Sequence, residues 1–183
     1  PKDSAAIKID YNCGIRHFAL SFTNRSQVVI EMQVVCGPDA NIICKIESKE
    51  GVRNLEAILD ETNAILLDRG DLSREIELQK IPAFQRRIIS KVNVRSNRVF
   101  VTTNLLEFMI KKASPGRAEV NDVLSTLMMG ADGLVLSAEA AIGKHPMQAG
   151  DMIRLLIDEA VTRDPEPPPE DLLDELPSRA LSK

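Results

Sequence analysis

Five short apolar runs, each separated from the next by a helix-length stretch, constrain this chain more than any other feature. HFALSF (His17 to Phe22), NIICKIE (Asn41 to Glu47), NAILLD (Asn63 to Asp68), RVFVTT (Arg98 to Thr103) and DGLVLS (Asp132 to Ser137) are all strand-sized. They are almost continuously apolar, the pattern of strands covered on both faces rather than one. Helical character lies between and after them, over about 27–35, 52–60, 82–94, 118–129 and 147–161. Strict alternation of strand and helix predicts an α/β fold with a mostly parallel sheet and helices outside it. Pro82 suits the first turn of its helix, and Pro146 precedes the last one. In that last helix Met152, Leu155, Leu156 and Glu159 follow the helical spacing, leaving Arg154 and Asp158 to water.

The texture changes past Arg163. DPEPPPEDLLDELPSRALSK carries four prolines within positions 165–169, and acids at Asp164, Glu166, Glu170, Asp171, Asp174 and Glu175. The expected division is a strand-helix domain over 1–162 and an acidic, Pro-rich tail or linker over 163–183, with at most one short helix at DLLDEL.

Charge and cysteine usage narrow the function classes. Lys and Arg number 23 against 27 Asp and Glu, a formal charge of -4, so no global field attracts nucleic acid. No apolar run approaches the roughly 20 residues a helix needs to cross a bilayer, and the opening PKDSAAIKID lacks the apolar core of a secretion signal. Membrane insertion is therefore not expected. Cys13, Cys36 and Cys44 are odd in number and form no C-x-x-C pair. They read as buried thiols of an intracellular reducing compartment, either the cytoplasm or a plastid or mitochondrial matrix.

Chemistry-bearing residues gather where the apolar runs end. In CKIE, Lys45 and Glu47 are two apart on a strand, so their side chains share one face. In LDRGDL, Asp71 follows Gly70, where backbone N–H groups can turn towards an anion. A lysine, two carboxylates and a glycine turn at the carboxyl ends of parallel strands suit an anion held through a divalent cation. They equally suit a structural ion pair at a strand end, and the residues alone divide evenly between the two. Thr102 with Thr103, and Ser137 with Glu139, read first as caps of the following turns. Arg117 in SPGRAE reads as solvent-facing charge. His17 and His145 lie far apart, with no cysteine or third histidine at ligand spacing, which argues against zinc.

IICKIESKEGVRNLEAIL, AILLDRGDLSREI, VFVTTNLLEFM, SPGRAEVNDV and GLVLSAEAAIGKHP, in that order, resemble consecutive signatures of the pyruvate kinase family, and AIKIDYNCGIRHFALSF resembles the stretch before them. The resemblance covers about residues 3–162. It implies a TIM-barrel-derived partial (β/α) barrel with mostly parallel strands, resembling the fourth to eighth units of the catalytic barrel. It also implies Mg2+-dependent phosphoryl transfer between phosphoenolpyruvate and ADP, giving pyruvate and ATP. Carried over motif by motif, Lys45 is the lysine that stabilises phosphoryl transfer and the enolate. Glu47 and Asp71 are the metal ligands, Gly70 and Asp71 offer backbone N–H groups to the substrate carboxylate, and Thr103 sits beside the substrate near the protonation step. K+ enters only with barrel segments beyond this sequence.

The departures from the family pattern are specific. Asp68 stands where the family has the Ala of Ala-Arg-Gly-Asp, adding a carboxylate beside an anion site, where like charge weakens anion binding unless a cation compensates. Asn104 replaces a Gln, Gly116 a Thr, Asn24 an Arg and Ala140 a Thr. Together they imply relaxed demand for the original reaction, a degenerate site.

A complete barrel takes about 250 residues, and five strands form an arc with two open edges and one exposed interior face. Closure then requires the missing barrel half, a homo-oligomer or a larger protein assembly. Three functions follow as expectations, the first two being a phosphotransferase that needs missing chain or a partner, inactive as an isolated chain, and a noncatalytic scaffold subunit. A metal-enolate lyase or aldolase acting on a 2-oxo acid without nucleotide is the third.

Overall fold

The computed structural model of the chain describes residues 2–162, so the expected tail at 163–183 lies outside the described residues. Helix α1 (Lys2–Asn12) leads into β1 (His17–Leu20), α2 (Ser26–Cys36), β2 (Asn41–Ile46), α3 (Lys49–Arg53) and α4 (Leu55–Leu59). The chain continues through β3 (Ala64–Asp68), α5 (Arg69–Glu75), α6 (Ile81–Val94) and β4 (Arg98–Thr102), then α7 (Arg117–Met128), β5 (Gly133–Val135), α8 (Ala138–Ala141) and α9 (Pro146–Thr162). The five strands form one parallel sheet in the order β1-β2-β3-β4-β5, the arc of a partial (β/α) barrel.

The strand period divides the sheet's two faces. Ile42, Cys44, Ile46, Ile65, Leu67, Val99 and Val101 point to the helices and are buried in one core with Ile58 of α4 and Ile88, Ile89 and Val92 of α6. Burying each such Ile or Leu contributes about 1.5–3 kcal/mol. A second core, beyond β4, joins Leu105, Leu106 and Met109 to Val123 of α7 and to Ala149, Ile153 and Leu156 of α9. The opposite face has no covering layer among the described residues. In register across it run Ala19, Ile43, Ala64 and Arg98, then Lys45, Leu66, Phe100 and Gly133. Ile43, Leu66 and Phe100 remain half-buried, and Val135 is 40% exposed. At the amino-terminal end of the strands this face opens a hollow of about 740 Å³, lined by residues that include His17, Asn41, Ile43, Arg98 and Phe100.

Several expectations need correction. The stretch 52–60 is not one helix: Asn54 leaves helical geometry and donates its side-chain N–H to the Asn24 carbonyl, so α3 and α4 are separate. In α9 the buried positions are Ala149, Ile153 and Leu156, whereas Leu155 is 56% exposed. Pro146 begins that helix instead of preceding it, at a position whose N–H has no helical partner. Cys36 and Cys44 are buried, which raises both thiol pKa values, in Cys44 against an opposing effect of hydrogen bonding with Thr62 and Thr23. Cys13, at the exposed end of α1, is not a buried thiol. No helix among the described residues is long and apolar enough to cross a membrane.

Candidate functional site

Parallel strands deliver all their carboxyl ends to one rim, and the site residues inferred from the motifs meet there. Lys45 lies near the end of β2 and Glu47 just past it, Asp68 ends β3, Gly70 and Asp71 lie in the first turn of α5, and Thr103 follows β4. The Lys45 ammonium contacts Glu47 Oε1 directly and lies 3.5 Å from Asp68 Oδ2. Glu47 is 1% exposed, and its other oxygen accepts the Phe22 N–H from the end of β1. Burial pulls the Lys45 pKa down, but the hydrogen bond and charge of Glu47, with those of Asp68, outweigh it and hold the pKa above the ordinary lysine value.

Glu47, Asp68 and Asp71 can each point an oxygen into one volume, the ligand atoms lying within 4.8 Å of one another. Asp71 is shared with Arg74 at 3.2 Å. One ammonium thus stands among three carboxylates, an arrangement able to hold a hard divalent cation through oxygen ligands.

Asp68 does more than supply charge. It is the N-cap of α5: Oδ1 accepts the N–H groups of Gly70 at 3.1 Å and Asp71 at 3.4 Å. Gly70 N–H also donates to Thr103 Oγ1 at 2.7 Å. That hydroxyl has Thr102 O at 2.6 Å and Asp68 Oδ1 at 3.2 Å as acceptors for its single proton. Glycine suits this closeness, because a Cβ at position 70 would stand 3.3 Å from the Thr103 side chain, which would have to give by a few tenths of an ångström.

Arg69 was not singled out by the sequence, where a charge beside a buried strand is ordinary. Its guanidinium pairs with Asp122 of α7 at 2.6 Å and donates to the carbonyls of Thr103 at 2.8 Å and Asn104 at 3.3 Å. Thr103 and Asn104 hold left-handed backbone, φ 69 and 54, as does Phe22 at φ 48 beside Glu47. Three of the four left-handed non-glycine residues among the described residues therefore sit on this rim, and such strain persists only where the surroundings enforce it.

Several of the remaining candidates make scaffold contacts. Glu139 is 1% exposed and accepts the N–H groups of Leu106 and Ser137, tying the loops after β4 and β5 together. Thr102 donates to the Val135 carbonyl across those strands. Asn24 accepts a hydrogen bond from Ser48, the N-cap of α3. Gly116 caps α7, and Glu119 reaches back to its N–H. Arg117 is exposed, and His17 starts β1, at the end of its strand away from the rim.

Comparison with known proteins gives a consistent family relationship. Residues 1–150 match the family described as pyruvate kinase, barrel domain. The chain is 38% identical over 151 residues to a pyruvate kinase of Thermoplasma acidophilum, covering 81% of this chain and 28% of that protein. It is 36% identical over 162 residues to one of Thermotoga maritima, covering 87% of this chain and 35% of the relative. It is 37% identical over 162 residues to one of Dictyostelium discoideum, covering 87% and 32%. The chain therefore spans about a third of the length of these curated relatives.

Proposed function

The chain belongs to the pyruvate kinase family, and from that premise we propose that it carries the lysine-and-carboxylate face of a Mg2+-dependent site transferring phosphoryl between phosphoenolpyruvate and ADP. In this reading residues 1–162 are the partial barrel and 163–183 a tail or linker. The rest of the barrel comes from further chain, a second copy or a larger assembly. K+ belongs to the reading only through those other strands.

The observation that carries it is Lys45 seated among Glu47, Asp68 and Asp71 at the carboxyl rim. Phosphoryl transfer asks for positive charge beside the transferring oxygens and little covalent chemistry from the protein. Lys45 supplies a fixed charge towards the phosphoryl and the enolate oxygen, in a position set by its two carboxylate contacts. Glu47 and Asp71 hold Mg2+; closely grouped carboxylate oxygens fit that ion's preference for hard ligands. When bound, Mg2+ neutralises charge on phosphoryl and enolate oxygens. Thr103 lies beside the substrate, where its hydroxyl orients a proton near the enolate carbon, and the Gly70 and Asp71 N–H groups face the substrate carboxylate.

A second reading, a noncatalytic structural or scaffold subunit with a degenerate site, is favoured by one specific observation. The Gly70 and Asp71 N–H groups already donate to Asp68. The uncovered sheet face then serves assembly alone.

A coupled assay of ATP formation from phosphoenolpyruvate and ADP, run on the complete polypeptide or reconstituted assembly, separates the two. Phosphotransfer predicts Mg2+-dependent turnover. Lys45→Arg, which keeps the charge and so the fold but moves its centre, is expected to lower kcat by about 10–100-fold, with elution volume unchanged. An intact assembly without turnover under any metal condition, in the wild type and in Asp68→Ala alike, overturns the first reading in favour of the second.

A further inference from the structure

We propose that Asp68 is an autoinhibitory, specificity-determining residue: its carboxylate fills the cradle in which a small carboxylate ligand would sit, so the site rejects such ligands until Asp68 is displaced. The inference rests on the carboxylate-binding reading above and deepens it.

The cradle is larger than the end of one helix. Its donors come from three strand ends: Lys45 near the end of β2, the Gly70 and Asp71 N–H groups after β3, and Thr103 after β4. Asp68 Oδ1 engages both N–H groups and the Thr103 hydroxyl, while Oδ2 faces Lys45 at 3.5 Å. The Asp68 side chain is 9% exposed. A carboxylate withdrawn from water needs donors on both oxygens, and this one has them. The close approach of Gly70 to Thr103, which leaves no room for a Cβ without displacement, keeps the N–H groups aimed at whatever occupies the cradle. A ligand carboxylate would have to evict a tethered competitor of its own charge, and Glu47 and Asp71 add to the repulsion.

Oxalate binding to the full chain tests this, read by calorimetry and by the backbone amide signals of Gly70 and Asp71, each with and without Mg2+. Asp68→Ala is expected to bind oxalate at least about tenfold more tightly than the wild type, with both amide signals moving. Asp68→Asn, which keeps an oxygen for both N–H groups while losing the charge, is expected to stay within about threefold of the wild type. Asp68→Gly replaces the Ala variant if that one fails to fold, since Gly is tolerated better at an N-cap. Equal oxalate affinity in wild type and Asp68→Ala overturns the proposal. So does an Asn variant that gains as much as Ala, because simple repulsion would then suffice. Failure of the phosphotransfer reading shows separately, as absent Mg2+ binding with the oxalate gain intact.

Discussion

Lys45→Met is expected to destabilise the fold by about 3–5 kcal/mol at neutral pH, the range for breaking a buried ion pair from one side. The substitution leaves Glu47, 1% exposed, and Asp68, 9% exposed in its side chain, facing one another and Asp71 without the ammonium between them. For a domain of this size that loss lowers Tm by roughly 6–20 °C. The Lys45 pKa is raised above the ordinary 10.5, so its contribution is complete below that value and is lost as pH rises through the folded-state pKa. Thermal melts of both proteins across pH check this, and a Tm within about 2 °C of wild type at neutral pH would mean that water already screens the carboxylates.

The second large effect is expected at Arg69, whose side chain is 11% exposed. Arg69→Met removes the partner of Asp122 and the donor that holds the Thr103 and Asn104 carbonyls, at a cost of about 2–4 kcal/mol. The left-handed backbone of those two residues loses its clamp. Hydrogen exchange is therefore expected to accelerate at Gly70, whose N–H rests on Thr103 Oγ1. Arg69→Lys should not restore stability, because an ammonium cannot span Asp122 and two carbonyls as the planar guanidinium does. Full rescue by Lys in denaturant unfolding would reduce Arg69 to a simple charge.

The pattern of legibility follows from distance along the chain. The five strands were readable because burial on both faces forces unbroken apolar runs, and the observed strands begin at or one residue after the runs read from the sequence. Lys45 and Glu47 were readable as neighbours because the strand period is local. Helix α1 was not, since KDSAAIKIDYN has little amphipathic contrast and leaves Ile9 63% exposed. Helix α5 hid behind a glycine that reads as a turn, although Asp68 caps it and Gly70 lies within its first turn. Asp68 itself was legible only as added charge. Its role depends on Thr103, 35 residues away and brought alongside by the pairing of Asp68 with Thr102 in the β3–β4 register. Arg69 depends on Asp122, 53 residues away, and no local spacing announces that contact.

The same logic gives the uncovered face its meaning. Ile43, Leu66, Phe100 and Val135 stand where further strands or another chain would pack, and the chain spans about a third of the relatives' length. The rim carboxylates, by contrast, are brought together by the ends of β2 and β3 and the first turn of α5, so their grouping forms without closure of the sheet.

Manganese binding followed by electron paramagnetic resonance tests the capacity of those carboxylates to hold a cation most directly, in the wild-type chain and in Glu47→Gln, which preserves shape and the acceptor for Phe22 N–H while removing one charge. One bound Mn2+ per chain is expected, weakened at least about tenfold by the substitution. A wild-type chain that leaves Mn2+ free, or a Gln variant that binds it equally well, would contradict a metal-holding rim at Glu47 and Asp71.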